Sequence, residues 1–371
     1  MSSSDSVALH FECLTSPHAL GQVREVWQED LGVDHPFLSF GWMNSWWNSF
    51  GTNHSLYLVM CYQESKVRML APCYLHSSLA RGKEIRFLGS GRACSDHMTL
   101  LQHPKNSVSL TRIGIEGIAQ FISSDPSWDM VNLDGVSQED ETIDFLAACL
   151  QRREIETRFE SDTNTWQLEL PATWDEYVAG CPKKIRQKLR RVLRDADQHE
   201  VNFHLCDTSE KIDRYFDTFV DLHVRRRTEV QGDQGCFETE AFEEFLRSGV
   251  KRFHNDGKLW LGQLDIDGVA AACCVGFESN GTLYFYQCGS DPQFSAIQPG
   301  WLLNAKLIQS AIGRGLHTID YLRGDERYKA KLSATPTGQR RLLAVANHVT
   351  SKTRDRLWQT ARLIKQTLVQ S

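Results

Sequence analysis

The 371-residue sequence has no CxxC pair, no HExxH, no Cys/His cluster and no phosphate-binding GxxxxGK[ST] loop. These absences remove the common zinc sites and the P-loop nucleotide enzymes. Its apolar runs fall far short of the ~20 residues a membrane helix needs. The opening "MSSSDSVALHFEC" has neither a basic start nor an apolar core, so no signal peptide is expected. There is no excess of positive charge either. Lys and Arg total 41 against 47 Asp and Glu, a net charge of −6, so nothing pulls the whole molecule towards nucleic acid or anionic lipid. "GSGRAC" (89–94) starts like a dinucleotide turn but lacks the third glycine and the following amphipathic helix.

What is present describes a globular chain long enough for two cores, 41% hydrophobic and 24% charged. Eleven cysteines, an odd number without paired spacing, fit free thiols in a reducing cytoplasm. Cys273 and Cys274 adjoin each other in an apolar strand, where they act as small hydrophobes.

Repetition is the strongest signal. "SLYLVMCYQESKVRMLAPCYL" (55–75) reads as a hairpin, and "KLWLGQLDIDGVAAACCVGFE" (258–278) has the same form, turning at Asp267-Gly268. A third strand follows each, ending in Gly and then Ser-Asp, at Ser95-Asp96 and Ser290-Asp291. A helix comes next in each half, with Ile115, Ile118, Ala119 and Ile122 on one face of the first. Trp301, Ala305, Ile308 and Ile312 do the same in the second. Short strands, "WDMVNLDG" (128–135) and "HTIDYLRG" (317–324), close the series. Entrance helices correspond as well, with Trp42, Trp46 and Phe50 in one and Phe242, Leu246 and Phe253 in the other. An aromatic stripe at helical spacing is core before it is a cofactor box. The boundary is expected near 160–170, in polar "ESDTNTW", giving modules 1–165 and 166–371. "QRRLLAVANHV" (339–349) reads as a closing strand, and 350–369 as an amphipathic helix with Leu357, Ala361, Ile364 and Leu368.

Two stretches concentrate charge. In "PKKIRQKLRRVLRD" (182–195), seven of residues 183–194 are Lys or Arg behind an apolar stripe. That pattern suits a solvated basic face or a phosphate-contacting arm, joined by Arg225-Arg226-Arg227 if the fold brings them together. In "TIDYLRGDERYK" (318–329) a buried strand breaks into five charged residues behind Gly324 or beside it.

The order of helices, hairpin, strand, helix and strand resembles the GNAT acyltransferase fold, here in tandem as in FemAB-like proteins. The wording "FLSFGWMNSWWNSFG", "KIRQKLRR", "DPQFSAIQPGWLL" and "DYLRGDERYK" resembles the CelD/BcsL-type, BioF2-like acetyltransferase family from about residue 35 to 345. The resemblance implies an α+β, α/β chain of two modules whose mixed, mostly antiparallel sheets are flanked by helices. It also implies acetyl-CoA or another acyl-CoA as co-substrate and an amine or hydroxyl acceptor. The later module is expected to bind the donor; the earlier one is expected to have degenerated into an acceptor platform that lost the opening in its sheet.

On that resemblance the donor's pyrophosphate rests on "SAIQPGWLL" (295–303), with Gln298, Gly300, Trp301 and Leu302. Pro299 suits the first turn of a helix whose free N–H groups attract anions. This segment departs from the usual Gly-rich pattern, having one glycine. Backbone N–H groups at Gln287, Cys288 and Gly289 are the expected oxyanion donors. Asp320, Asp325 and Glu326 are candidate bases, and Arg323 and Lys329 candidate ligands for an acidic or phosphorylated acceptor. The charges of that loop could equally pair among themselves. Asp96 and His97 of "CSDHM" (94–98) are the corresponding acceptor clamp and acid/base candidates in the first module. The acceptor class is a sugar, a polysaccharide precursor or an amino-compound. The alternatives are a FemAB-like transferase using aminoacyl-tRNA, the one route by which nucleic acid enters, and a non-catalytic module in envelope polysaccharide assembly. No metal is expected.

Overall fold

The computed structural model describes residues 9–370. The N-terminal stretch 1–8, read above for a signal peptide, lies outside them, as does the side chain of Leu368. The chain divides into two compact units. One runs through Val33, takes up again at Phe37–Asp162 and includes everything from Gly338 onward. The other is Thr163–Thr337 with Asp34–Pro36.

The first unit contains β1 (Leu9–Leu14), α1 (Ala19–Gln22), α2 (Arg24–Glu29), α3 (Phe40–Phe50), β2 (Ser55–Gln63), β3 (Lys66–Ser78) and β4 (Gly82–Phe87). It continues with β5 (Leu101–Gln102), α4 (Val108–Ser124), β6 (Met130–Ser137), α5 (Glu141–Gln151) and β7 (Glu156–Ser161). The second unit opens with β8 (Thr165–Glu169), α6 (Trp174–Gly180), α7 (Lys183–Ala196), β9 (Val201–Leu205), α8 (Ser209–Gln231) and α9 (Glu240–Asn255). Then come β10 (Leu259–Ile266), β11 (Val269–Ser279), β12 (Thr282–Ser290), α10 (Pro299–Gly313), β13 (Thr318–Arg323), α11 (Arg327–Lys331) and β14 (Thr335–Thr337). The chain returns to the first unit for β15 (Gln339–Val345) and α12 (Val349–Gln370).

The two sheets share one plan. The first runs β1-β2-β3-β4-β6-β15-β7, with β5 beside β3, and the second β9-β10-β11-β12-β13-β8-β14. In each, the first four strands are antiparallel, the fourth pairs parallel with the fifth, and the last two are antiparallel again. Duplication is therefore written in the hydrogen-bond ladders. The local chemistry follows the sequence. Ser39 caps α3 by accepting from the Trp42 N–H, and Thr173 with Glu176 forms a capping box on α6. Asp267 and Gly268, both at positive φ, turn β10 into β11. Trp42 and Trp46 are buried, as are Phe242, Leu246 and Phe253, so the aromatic stripes are core.

Two expectations change. The C-terminal boundary is not 371 for the second module, because β15 is inserted between β6 and β7 of the first sheet. Second, the first sheet is also split. β4 and β6 pair only at Glu84↔Met130 and Ile85↔Val131, so both copies keep an opening. Helix α12 forms where expected, but Leu357 and Ile364 of its apolar stripe are exposed.

Candidate acyl-donor site

The second opening begins where β12 and β13 part company. They pair at Thr282↔Thr318, Leu283↔Ile319 and Tyr284↔Asp320, and β12 then runs on to Ser290 without β13. Two bulges part them. On β12, Phe285 and Gln287 face consecutive residues of β11, which makes Tyr286 the extra residue. On β13, three steps from Asp320 to Arg323 match two on β8, and Leu322 sits at φ +56°. A branched side chain at positive φ is strained, and Asp320 offsets that cost. Its carboxylate accepts from the Leu322 N–H at 2.8 Å and from Gln167 Nε2 at 3.0 Å.

Against the free-running end of β12 lies a cavity of about 250 Å³. Cys288, Gly289 and Ser290 of β12 form one wall. Gln298, Pro299, Gly300, Trp301 and Asn304 form the second, with Arg226, Tyr328 and Leu332 completing the lining. Five of the expected donor residues meet here: Cys288, Gly289, Gln298, Gly300 and Trp301. Gln287 is on the same strand but is not part of the lining, and Leu302 is fully buried in the core behind it. The two glycines differ. A Cβ on Gly289 would fall 2.4 Å from the backbone nitrogen of His223, so the fold itself requires glycine there. A Cβ on Gly300 would meet nothing within 4 Å, so packing does not explain that glycine.

Helix α10 starts from Gln298 in the left-handed region, followed by Pro299. Lys188 of α7 donates to the Gln298 side-chain oxygen and lies 5.6 Å over the Trp301 ring. Burial lowers the Lys188 pKa, and the nearby charges of Arg191 and Lys331 lower it further. The basic helix thus brings a cluster of cations to the positive end of α10, where anions are favoured. Of the arginine triplet, Arg226 lines the cavity, while Arg225 pairs with Asp221 and Asp291 and Arg227 with Asp233. The Oδ1 of Asn304, a lining residue, is buried without a hydrogen-bond partner, as is Tyr321 Oη in the apolar core of the same unit. Burial and its neighbours hold the Tyr328 hydroxyl far above its usual pKa, so it stays protonated. His223 Nδ1 donates to the Cys288 carbonyl at 3.1 Å and fixes β12 against α8.

The charged loop divides by role. Lys329 is 2% exposed, and its ammonium donates to the carbonyls of Leu322, Arg323 and Gly324 at 3.1, 2.9 and 2.9 Å. It also pairs with Glu326 at 2.9 Å. Lys329 is a clamp on the turn, not an exposed ligand for an acceptor. Asp320, 1% exposed and committed to the bulge, is outside the lining too. Asp325 accepts from Asn164 Nδ2 and Trp166 Nε1, both at 3.1 Å. Glu326 remains solvent-accessible, and its charge reaches Cys288 and Tyr328. Arg323 is half-buried at the end of β13. Asp96 and His97 belong to the first unit. Asp96 is fully buried, His97 stands at φ +58°, and the next residue's N–H donates to the Gly135 carbonyl of β6. The sequence reading passed over Tyr328 and Asn304. Tyr328 stood inside the quoted charged stretch, where the charges drew attention from it.

The parallel parting in each unit and the helix N-terminus against it define a tandem GNAT-type acyltransferase fold. Residues 183–330, from the start of α7 into α11, match the family model described as an acetyltransferase (GNAT) domain. Among solved structures the chain is similar to FemX at 10% identity, covering 90% of this chain and 96% of that one with a TM-score of 0.59. It is also similar to a conserved protein of unknown function from Bacteroides thetaiotaomicron, at 13% identity, 91% and 100% coverage and a TM-score of 0.54. L-PGS from Bacillus licheniformis shares 11% identity over 92% and 95% of the two chains, with a TM-score of 0.51. At such identities these likenesses concern the fold. The search of curated proteins found no match. Among the described residues no helix is long and apolar enough to cross a membrane, and no group of three or more His, Cys, Asp or Glu could hold a metal.

Proposed function

We propose that the chain transfers an acyl group, acetyl in the simplest case, from acyl-CoA to an amine or hydroxyl of a sugar, a polysaccharide precursor or an amino-compound. The observation that carries this reading is the parting of β12 from β13 after Tyr284, directly against the N-terminus of α10. The residues present suit such a donor. Gly300 leaves room for a diphosphate to approach the backbone, and Lys188, Arg191 and Arg226 supply cations for it. The apolar faces of Trp301, Leu303 and Leu332 suit the pantetheine arm.

Bound there, an acyl thioester supplies an activated carbonyl. Glu326 takes the proton from the attacking amine or hydroxyl, a task within reach of a carboxylate at the cleft edge. On the β13 side, β12 has no strand partner beyond Tyr284, and the N–H of Cys288, which points away from β11, stabilises the developing negative oxygen. As the carbon–sulfur bond breaks, its electron pair leaves with the sulfur, the proton held by Glu326 passes to the departing thiolate, and the Tyr328 hydroxyl, which stays protonated in the lining, donates a hydrogen bond to it. Asp325 assists by holding Asn164 and Trp166 beside the loop. Arg323 faces the acceptor's acidic group in this reading.

The basic face of α7 favours one rival, an aminoacyltransferase taking charged tRNA. Thermal-shift titration separates the two. Acetyl-CoA and CoA should raise the melting temperature with saturation, as any ligand specific for the folded state does. A flat response to every CoA species, together with tight binding of aminoacyl-tRNA, would replace the first reading with the second.

A further inference from the structure

We propose that the opening in the first sheet is a second binding site, built for a small phosphorylated polyhydroxy compound of sugar size. It stands apart from the acyl-donor reading, since every observation behind it lies in the first unit. Beyond Ile85, β4 stays on β3 through Arg86 and Phe87, while β6 turns its other edge to β15. The parting encloses a cavity of about 410 Å³.

Its floor is polar throughout. Glu84, fully buried, pairs with Arg81 at 3.2 Å and with Arg86, and accepts from Asn132 Nδ2 at 3.0 Å. Four residues lining this cavity carry a buried side-chain atom without a hydrogen-bond partner: Asn132 Oδ1, Arg86 Nε, His76 Nδ1 and Arg81 Nε, the last 3.2 Å from Glu84 in their ion pair. Asn132 is only 5% exposed. Buried polar atoms in proteins are nearly always satisfied, and each one left unpaired costs about 1–3 kcal/mol. Residues with an unsatisfied donor and one with an unsatisfied acceptor thus line one cavity, which suits a ligand carrying both.

Charge narrows the class. Arg81, Arg86 and Arg341 face the cavity against the carboxylates Glu84 and Asp134. Glu84 is already engaged by Arg81 and Arg86, and the nearest carboxylate to Arg341 is Asp162 at 3.5 Å. His54 and His76 have lowered pKa values, chiefly through burial, and stay neutral at pH 7. Arg341 is held by that one long contact, and the remaining N–H donors of its fork match phosphate geometry. Asn132 Oδ1 and the Asp134 carboxylate are left to accept from hydroxyls. Trp358, 41% exposed and held under Arg81 at 5.2 Å, offers a flat face at the rim.

The test is calorimetric titration of the full chain with glucose 6-phosphate, gluconate, glucose and inorganic phosphate, with no acyl donor present. Glucose 6-phosphate should bind saturably, at least tenfold tighter than the other three. Asn132→Leu and Arg341→Gln should each weaken it tenfold or more while far-UV circular dichroism stays unchanged. Arg341→Gln, at the half-exposed rim, carries the test should Asn132→Leu fail to fold. No saturable binding by the wild-type chain, tighter binding of gluconate, or unchanged affinity in Arg341→Gln each overturns the proposal. Failure of acyl-CoA to bind, by contrast, would leave this site standing and remove only the function proposed for the second unit.

Discussion

The two sheets of this protein part at the same place in the same strand order, yet the openings are made of opposite materials. The second is walled by Cys288, Trp301, Leu303, Tyr328 and Leu332 and abuts the start of a 15-residue helix. The first is floored by a buried Glu84 held between two arginines and an asparagine. Duplication kept the geometry and the side chains diverged. A parted parallel pair is thus a reusable frame, and what it binds is set by the residues placed at a few positions beside it.

The sharpest way to break this contrast is to remove the polar floor. Glu84→Leu leaves Arg81 and Arg86 beside an apolar group, and breaking a buried pair in this way costs about 3–5 kcal/mol. Urea denaturation should show a loss of this size; a loss under about 1 kcal/mol would mean that the first opening is as wet as a surface. Acid provides the next largest effect, in the second unit. Burial pushes His223 down to about 4, so the folded chain holds it neutral while the unfolded chain takes up a proton near 6.5. Stability from this group is complete above pH 6.5 and is lost as pH falls towards 4, by about 3 kcal/mol. His223→Gln, whose amide still donates to the Cys288 carbonyl, should flatten that part of the pH–stability curve. An unchanged curve would show that His223 titrates normally.

Most of the frame was legible in the sequence, because hairpins, apolar stripes and turn residues are local. Both hairpins, both entrance helices and α10 stand where the pattern of residues put them. The destination of β15 was not legible. "QRRLLAV" reads as a strand, but an apolar run says nothing about which sheet has a vacant place between two of its strands. The site was half legible for a similar reason. Gly300 and Trp301 announce themselves beside a proline, whereas Lys329 reads as one charge among five until its three carbonyl partners are known. Glu84, inside "EIRFLG", looks like an ordinary edge residue of a strand. Its burial depends on Arg81, Arg86 and Asn132 meeting it, and Asn132 is 48 residues away in the chain.

Two smaller effects sharpen the second opening's role. Glu326→Gln should lower turnover about a hundredfold with donor affinity unchanged, the scale of a lost general base. Equal turnover would pass the role to another group, Asp325 first. Gly300→Leu should weaken CoA binding about tenfold, roughly 1.4 kcal/mol, with little effect on folding because the added side chain meets open space. Normal affinity in that variant would clear the helix start of any part in donor binding.

Hydrogen exchange with and without acetyl-CoA tests the central claim most directly, since it reads both openings in one experiment. Protection should appear at residues 286–290 and 298–304, with 82–88 and 130–137 unchanged. Protection confined to the first opening, or none in either, would contradict the assignment of the donor to the second.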